Sequence, residues 1–197
     1  MNPQNGPSRL QKEIAKITSV AFGVERPPII RFRDDDSRSE VHVLEASNRS
    51  AVGFASFATI GLSEHPLTNQ GTDTGFGVEL LGGCRGEFVA FGNVLATLSF
   101  CVINSKWFCA PGMIFPDVVA IHSETSRLRD VYFAYPFAWG EQFASRTLHG
   151  RKVAWLQAIP VSRTETEFAS RFGPADLEKR FQEQNVDLLN LDRDSVV

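Results

Sequence analysis

The chain has 197 residues, of which 43% are hydrophobic and 22% charged, so it is neither disordered nor fibrous. Its 20 basic and 23 acidic residues leave a net charge of −3, which lacks the basic excess of a nucleic-acid binder, and we expect no direct nucleic-acid binding. Three cysteines are too few, and odd in number, for a secreted disulfide framework. The N-terminus has no basic segment followed by an apolar one, so we expect no signal peptide and a cytoplasmic protein.

The most apolar stretch covers residues 88–103, which is shorter than the roughly 20 residues that a membrane-spanning helix needs. Its apolar side chains recur at helical spacing, which predicts a core helix packed across a sheet. We therefore expect no association with a membrane.

The rest of the chain alternates between β-rich and helical segments without an internal repeat or a linker. The spacing of apolar residues predicts an N-terminal helix over residues 8–21, with Ser8 at its cap position, ended by Pro27 and Pro28. Predicted strands cover residues 29–32, 41–43, 51–60, 76–81, 118–121, 131–137 and 153–159.

The C-terminal part has the clearest local signals. Ser162 and Glu165 have the spacing of a capping box, Gly173 fits the end of that helix, and Pro174 fits the start of the next. We expect the apolar residues of this part to be mostly buried: Trp155, Leu156 or Ile159, Phe168, Phe172, Leu177 and Phe181. The order of elements predicts an α/β (α+β) fold with a mixed, mostly antiparallel sheet packed with helices, in one domain over residues 1–197.

Motifs for catalysis, cofactors and metals are missing. The residues from Gly75 to Leu80 start like a dinucleotide-binding fingerprint, but they enter a strand and lack its third glycine. The turn Gly82–Gly86 precedes a helix and is either a tight strand-to-helix connection or an anion site. The sequence has neither metal-ligand spacing nor a nucleophile elbow, so we expect no enzyme, no cofactor and no metal. Two alternatives stay open: an enzyme whose site is assembled from distant residues, and a small-ligand or anion-binding protein.

The aromatic strand over residues 131–139 is the best candidate for a partner surface. Its odd positions form one face, which we expect to be mostly core, and Pro136 places its end or a sheet edge there. Because Tyr and Trp dominate interface hot spots, Tyr135 and Trp139, with the nearby Glu141, are candidate partner-binding residues.

The C-terminal third resembles the suppressor of fused (SUFU) family. The resemblance covers residues 130–197, with a looser match around residues 110–112 and, over the first 80 residues, a match only in the order of elements. It rests on a "PF" strand, an apolar strand ending in Ile-Pro-Val-Ser, a Glu-bearing helix, a glycine before an amphipathic helix, and a C-terminus with Asp, Arg, Ser and Val at the spacing of the family. These features lie at Pro136, Phe137, Val153–Ser162, Glu165, Glu167, Gly173, Leu177, Asp187, Arg193, Ser195 and Val196.

The resemblance implies a non-enzymatic binding domain. A longer animal member of the family restrains transcription factors by binding them, and single-domain bacterial members are similar to immunity proteins of polymorphic toxin systems. We therefore expect a protein partner, a cognate toxin domain. The residues that grip the animal partners have no counterpart motif here, so no site residue follows from the resemblance.

Charge is distributed unevenly along the chain. Five basic and eight acidic residues follow Ser162, and they account for the whole net charge. We expect an acidic surface on the final helices, with Glu178 and Glu183 as candidate partner-binding residues. A toxin that attacks nucleic acid needs a basic active site, to which an acidic inhibitor would be drawn.

Overall fold

A computed structural model describes residues 6–46, 54–85 and 90–197. Its α-helices are α1 (Arg9–Phe22), α2 (Phe91–Ile103), α3 (Arg163–Phe172) and α4 (Pro174–Glu183). Its strands are β1 (Ile29–Arg33), β2 (Glu40–Ala46), β3 (Ala55–Ile60), β4 (Thr68–Asn69), β5 (Thr72–Asp73), β6 (Phe76–Cys84), β7 (Ile114–Phe115), β8 (Leu128–Ala134), β9 (Arg146–Leu148) and β10 (Arg151–Ser162). Short 3-10 helices cover Leu62–Glu64 and Gly140–Phe143.

One large sheet organises these elements. Its strands run in the order β1-β2-β3-β6-β10-β8-β7, and β9 pairs with the beginning of β10. The β6–β10 pair is parallel, whereas the other pairs of this sheet are antiparallel. The expected mixed, mostly antiparallel sheet is therefore confirmed.

Helices cover both faces of the sheet. On one face, α2 packs its apolar side chains on the centre of the sheet, where Val43, Leu80 and Phe133 are buried. On the other face, α1 covers the side that contains β3, and α3 with α4 covers the ends of β8 and β10. Between these layers β3 is buried at every position, which explains why its apolar residues do not alternate with exposed polar ones.

The predicted helix boundaries rest on real caps. Ser8 and Gln11 form a capping box at the start of α1, and Ser162 and Glu165 form one at the start of α3. Gly173 has φ +100° and ψ 155°, a conformation open only to glycine, and this residue lets Pro174 begin α4 directly after α3. The helix–glycine–helix prediction is confirmed.

Two sequence predictions in the β-rich part are wrong. Residues 118–121 form turns, with the N–H groups of His122 and Ser123 donating to Val119 O. Residues 118–120 are apolar because they are buried, whereas Ile121 is exposed. The predicted strand over residues 131–137 ends at Ala134, because Pro136 has no N–H for the ladder. The predicted positions 51–53, 86 and 88 lie outside the described residues.

The predicted C-terminal core is correct except on α3. Trp155, Leu156, Ile159, Leu177 and Phe181 are all buried. Phe168 is only partly buried, however, and Phe172 is 51% exposed. Their rings pack on each other at 4.7 Å between centroids.

Candidate protein-binding groove

An apolar groove of about 390 Å³ lies between α4 and the end of β8. Its floor consists of the buried lining side chains Tyr132, Ala134, Ile159 and Phe181. The remaining lining residues, which are exposed or partly buried, are Tyr135, Phe137, Glu178, Gln182, Asn185, Val186 and Leu188.

The aromatic rim of the groove is held by the chain that follows β8. Tyr135 is 73% exposed and Phe137 is 53% exposed. The backbone N–H groups of Phe137 and Ala138 donate to Gln157 Oε1, at 3.2 and 3.4 Å, and Gln157 is itself buried on β10. Because Pro136 ends the hydrogen-bonded pairing of β8, the Gln157 side chain takes the place of a neighbouring strand. It fixes the backbone that carries the rim.

Trp139 does not lie on the partner surface that the sequence suggested. It is 4% exposed, its Nε1 donates to Ser56 Oγ at 3.1 Å, and its ring contacts Phe22, Phe54 and Phe143. The chain turns inward after Phe137, so the indole enters the core beneath α1. Trp139 therefore anchors the C-terminal end of the rim segment, and its burial leaves it unavailable for contact with a partner.

Glu178 supplies the acidic group of the groove. Tyr132 Oη donates to Glu178 Oε1 at 2.6 Å. Burial, and then the carboxylate itself, raise the pKa of Tyr132, so its hydroxyl stays a donor. Among residues 6–46, 54–85 and 90–197, Glu178 Oε2 has no hydrogen-bond donor, and Glu178 forms no salt bridge.

The other two acidic candidates lie elsewhere. Glu183 is on the exposed side of α4, with Lys179 Nζ at 3.7 Å and Arg180 Nη1 at 3.9 Å. Glu141 is exposed in the 3-10 helix Gly140–Phe143 and does not line the groove. The structure thus brings together Tyr135 and Glu178, which are 43 residues apart in the sequence.

Sequence reasoning missed the far wall of the groove. Asn185 has φ +46°, and this left-handed residue turns the chain after α4 so that Val186 and Leu188 fold back beside Phe181. Two apolar residues after an Asn at a helix end are a weak signal of such a return.

The segment Gly82–Gly86 was expected to be a turn, either connecting a strand to a helix or holding an anion. Its first two residues belong to a strand instead. Gly82 and Gly83 lie within β6 and pair with Phe57 and Ser56 on β3. A Cβ on Gly82 would lie 1.9 Å from the ring of Phe91, so close aromatic packing explains the glycine. That prediction is wrong for Gly82 and Gly83.

One buried acid has the perturbed pKa that active sites often show. Glu79 is fully buried, and burial raises its pKa to about 7. Its carboxylate accepts hydrogen bonds from Thr59 Oγ1, Gly61 N, and both N and Oγ of Ser63. Thr59 lies on β3, and Gly61 and Ser63 lie in the turn that follows it, so Glu79 anchors the end of β3 and this turn.

Neither a cluster of metal ligands nor a membrane-spanning helix occurs in the described part of the chain. Across residues 6–46, 54–85 and 90–197, no three His, Cys, Asp or Glu side chains cluster as metal ligands would. In the same residues, no helix has both the length and the apolar character needed to cross a bilayer.

A mixed sheet covered by helices on both faces, with an apolar, aromatic-rimmed groove beside its last helix, defines an α+β protein. Comparison with known sequences gives its family: residues 37–194 match the suppressor of fused protein (SUFU) family, and the chain belongs to it. It is also 30% identical over 192 residues to immunity protein YqcF of Bacillus subtilis strain 168, a match that covers 98% of this chain and all of that protein.

Solved structures show the same fold. A SUFU homologue from Neisseria gonorrhoeae FA 1090 superposes with a TM-score of 0.69 at 16% identity, covering 95% of this chain and 97% of that one. The Sufu–Fu complex structure gives a TM-score of 0.67 at 15% identity, covering 97% of this chain and 93% of that one. The resemblance identified from the C-terminal motifs is confirmed, and it extends well beyond them.

Proposed function

We propose that this chain is a non-enzymatic binding protein that neutralises a cognate toxin domain by direct contact, and that the groove between α4 and the end of β8 forms part of the contact surface. The observation that carries the proposal is a pair of exposed aromatic side chains, Tyr135 and Phe137, on a segment fixed at both ends. The name of the B. subtilis relative, an immunity protein, supports the toxin as partner. The Sufu–Fu complex supports the coarser statement that the fold binds proteins.

The geometry of the rim suits a protein contact. Large exposed aromatics that bury well are the typical hot spots of interfaces. Because Gln157 and Trp139 already fix the backbone around Tyr135 and Phe137, little conformational entropy is left to lose when a partner covers these rings.

Surface charge adds a second favourable feature. Glu165 and Arg193 are both buried and pair with each other, so the excess of acidic over basic residues after Ser162 is carried by exposed side chains. This acidic surface would speed the encounter with a basic site, such as the phosphate-binding site of a toxin that attacks nucleic acid.

The experiment first tests whether a neighbouring gene encodes a toxin domain and then measures binding to that domain by calorimetry with purified proteins. Tyr135→Ser is expected to weaken binding by about tenfold or more, because loss of a hot-spot aromatic costs at least about 2 kcal/mol. Phe172→Ser is the matched control, since Phe172 is also an exposed aromatic but lies on α3, outside the groove. Equal binding by both variants and the unmodified chain would contradict a role for the groove. No interaction at all with that toxin would contradict the immunity function.

A further inference from the structure

We propose that the groove recognises an arginine side chain of the partner protein, with the guanidinium at Glu178 and the aliphatic stem against Tyr135 and Phe137. This inference depends on the proposed function in one respect, namely that the partner is a protein. The chemistry of the occupant is argued from the groove alone.

The first argument is the state of the carboxylate. Tyr132 Oη occupies Glu178 Oε1 at 2.6 Å and so orients the acid. Within the described ranges, Glu178 Oε2 has no donor. An oriented carboxylate with one open oxygen, beside apolar side chains, is a half-built charge-assisted hydrogen bond that a cationic donor would complete.

The second argument is that the cations of α4 are engaged elsewhere. Lys179 and Arg180 both lie within 4 Å of Glu183. Residues one or two positions apart on a helix do not share a face, so these two cations do not approach the groove side of Glu178. The negative charge of the groove is therefore left for a partner to neutralise.

The third argument favours arginine over lysine. The planar guanidinium stacks on aromatic faces, and it loses less hydration than an ammonium when it is covered. Arginine–aromatic contacts already occur near the groove. Arg193, in the C-terminal tail, lies 5.3 Å from the ring centre of Phe181, and Arg180 lies 5.7 Å from that of Phe168. A groove with Phe181 in its floor and Tyr135 and Phe137 at its rim offers the same kind of surface.

The volume is consistent with one long side chain and an apolar neighbour. At about 390 Å³, the groove lies at the low end of the range for sites that hold a small ligand. Its open side allows the backbone of a partner segment to remain outside.

The test uses blocked dipeptides as probes and follows the backbone amides of this protein by NMR. Acetyl-phenylalanyl-arginine amide is compared with its citrulline analogue, which has the same shape without the charge, and with its lysine analogue. We expect the arginine probe to bind about fivefold more tightly than the citrulline probe, with shifts centred on residues 132–137 and 178–188. We expect the lysine probe to bind less tightly than the arginine probe.

Two variants show whether Glu178 reads the charge. Glu178→Gln keeps an oxygen that can accept from Tyr132 Oη, so the fold should be preserved while the arginine–citrulline difference disappears. Glu183→Gln removes an acid from the same helix outside the groove and should leave the difference intact. Equal affinity for arginine and citrulline, tighter binding of lysine, no shifts in the groove, or a difference that survives Glu178→Gln would each overturn the proposal.

The outcome is separable from that of the toxin experiment. If the dipeptides do not discriminate but Tyr135→Ser still weakens toxin binding, the arginine site is refuted and the proposed function stands. If the dipeptides discriminate through Glu178 while no toxin binds, the arginine site stands and the immunity function falls.

Discussion

Glu79 offers a direct test of how burial and hydrogen bonding compete at a carboxylate. Burial removes the charge from water and raises the pKa, whereas the hydrogen bonds from Thr59, Ser63 and Gly61 stabilise the anion and lower it. Burial is the larger effect, and the pKa rises from the ordinary 4.5 to about 7. The geometry also accommodates the neutral acid, because a proton on Oε2 can be donated to Thr59 Oγ1, whose oxygen lies 2.5 Å away.

The sign of the pH effect follows from proton uptake. Between pH 4.5 and 7 the folded protein holds a proton on Glu79 that the unfolded chain has released, so the free energy of unfolding falls as the pH rises through this range. The complete effect is about 3 kcal/mol, and most of it falls between about pH 5 and about pH 8. Below the unfolded pKa the contribution of Glu79 does not change with pH.

The assay is urea unfolding of the unmodified chain and of Glu79→Gln across this pH range. The glutamine cannot ionise, so the variant should gain about 2–3 kcal/mol relative to the unmodified chain from about pH 5 to about pH 8. His65 and His122, whose pKa values burial lowers, contribute the opposite slope, but they are present in both proteins and cancel in the difference. Glu124→Gln, at an exposed position, should show no such trend.

Two outcomes would refute this reasoning. A constant difference between Glu79→Gln and the unmodified chain would mean that the pKa of Glu79 is unchanged by folding. A difference that falls with rising pH would mean that the hydrogen bonds outweigh burial and that the folded pKa lies below 4.5.

Two further predictions concern the C-terminal unit. In urea unfolding, Arg193→Met should lower the free energy of unfolding by about 3–5 kcal/mol, because it leaves Glu165 buried without its cation. Adding Glu165→Gln should recover part of this loss. A cost below about 1 kcal/mol for the single variant would contradict the pairing. Phe181→Ala should lower the free energy of unfolding by about 3–5 kcal/mol and Phe172→Ala by less than about 1 kcal/mol, since only the ring of Phe181 is buried. Similar melting temperatures for the two variants would show that the buried faces of α3 and α4 are assigned wrongly.

Local signals predicted most of the fold because they act over a few residues. The capping box at Ser162 and the conformation required of Gly173 depend on immediate neighbours, and both were predicted from the sequence. The failures arose where distant packing decides. Residues 118–121 are as apolar as a strand but form turns, and Phe172 keeps the helical spacing of Phe168 but is half exposed.

The motifs that reveal the family position the scaffold and do not mark the site. Arg193 donates to Glu165 Oε1 and to Pro160 O, and the Val196 N–H also donates to Glu165 Oε1, so the patterned C-terminus locks the tail onto the capping box of α3. Ser195 lies within hydrogen-bond distance of Ser162 in the same lock.

The groove is built by long-range contacts to side chains that belong to none of these motifs. Gln157 interrupts an apolar strand, and only the folded sheet shows that it holds the backbone of the aromatic rim. Trp139 looked like a surface anchor because Trp is frequent in interfaces, yet its burial is what keeps Tyr135 and Phe137 outward. A rim held this way can change its exposed side chains without disturbing the sheet.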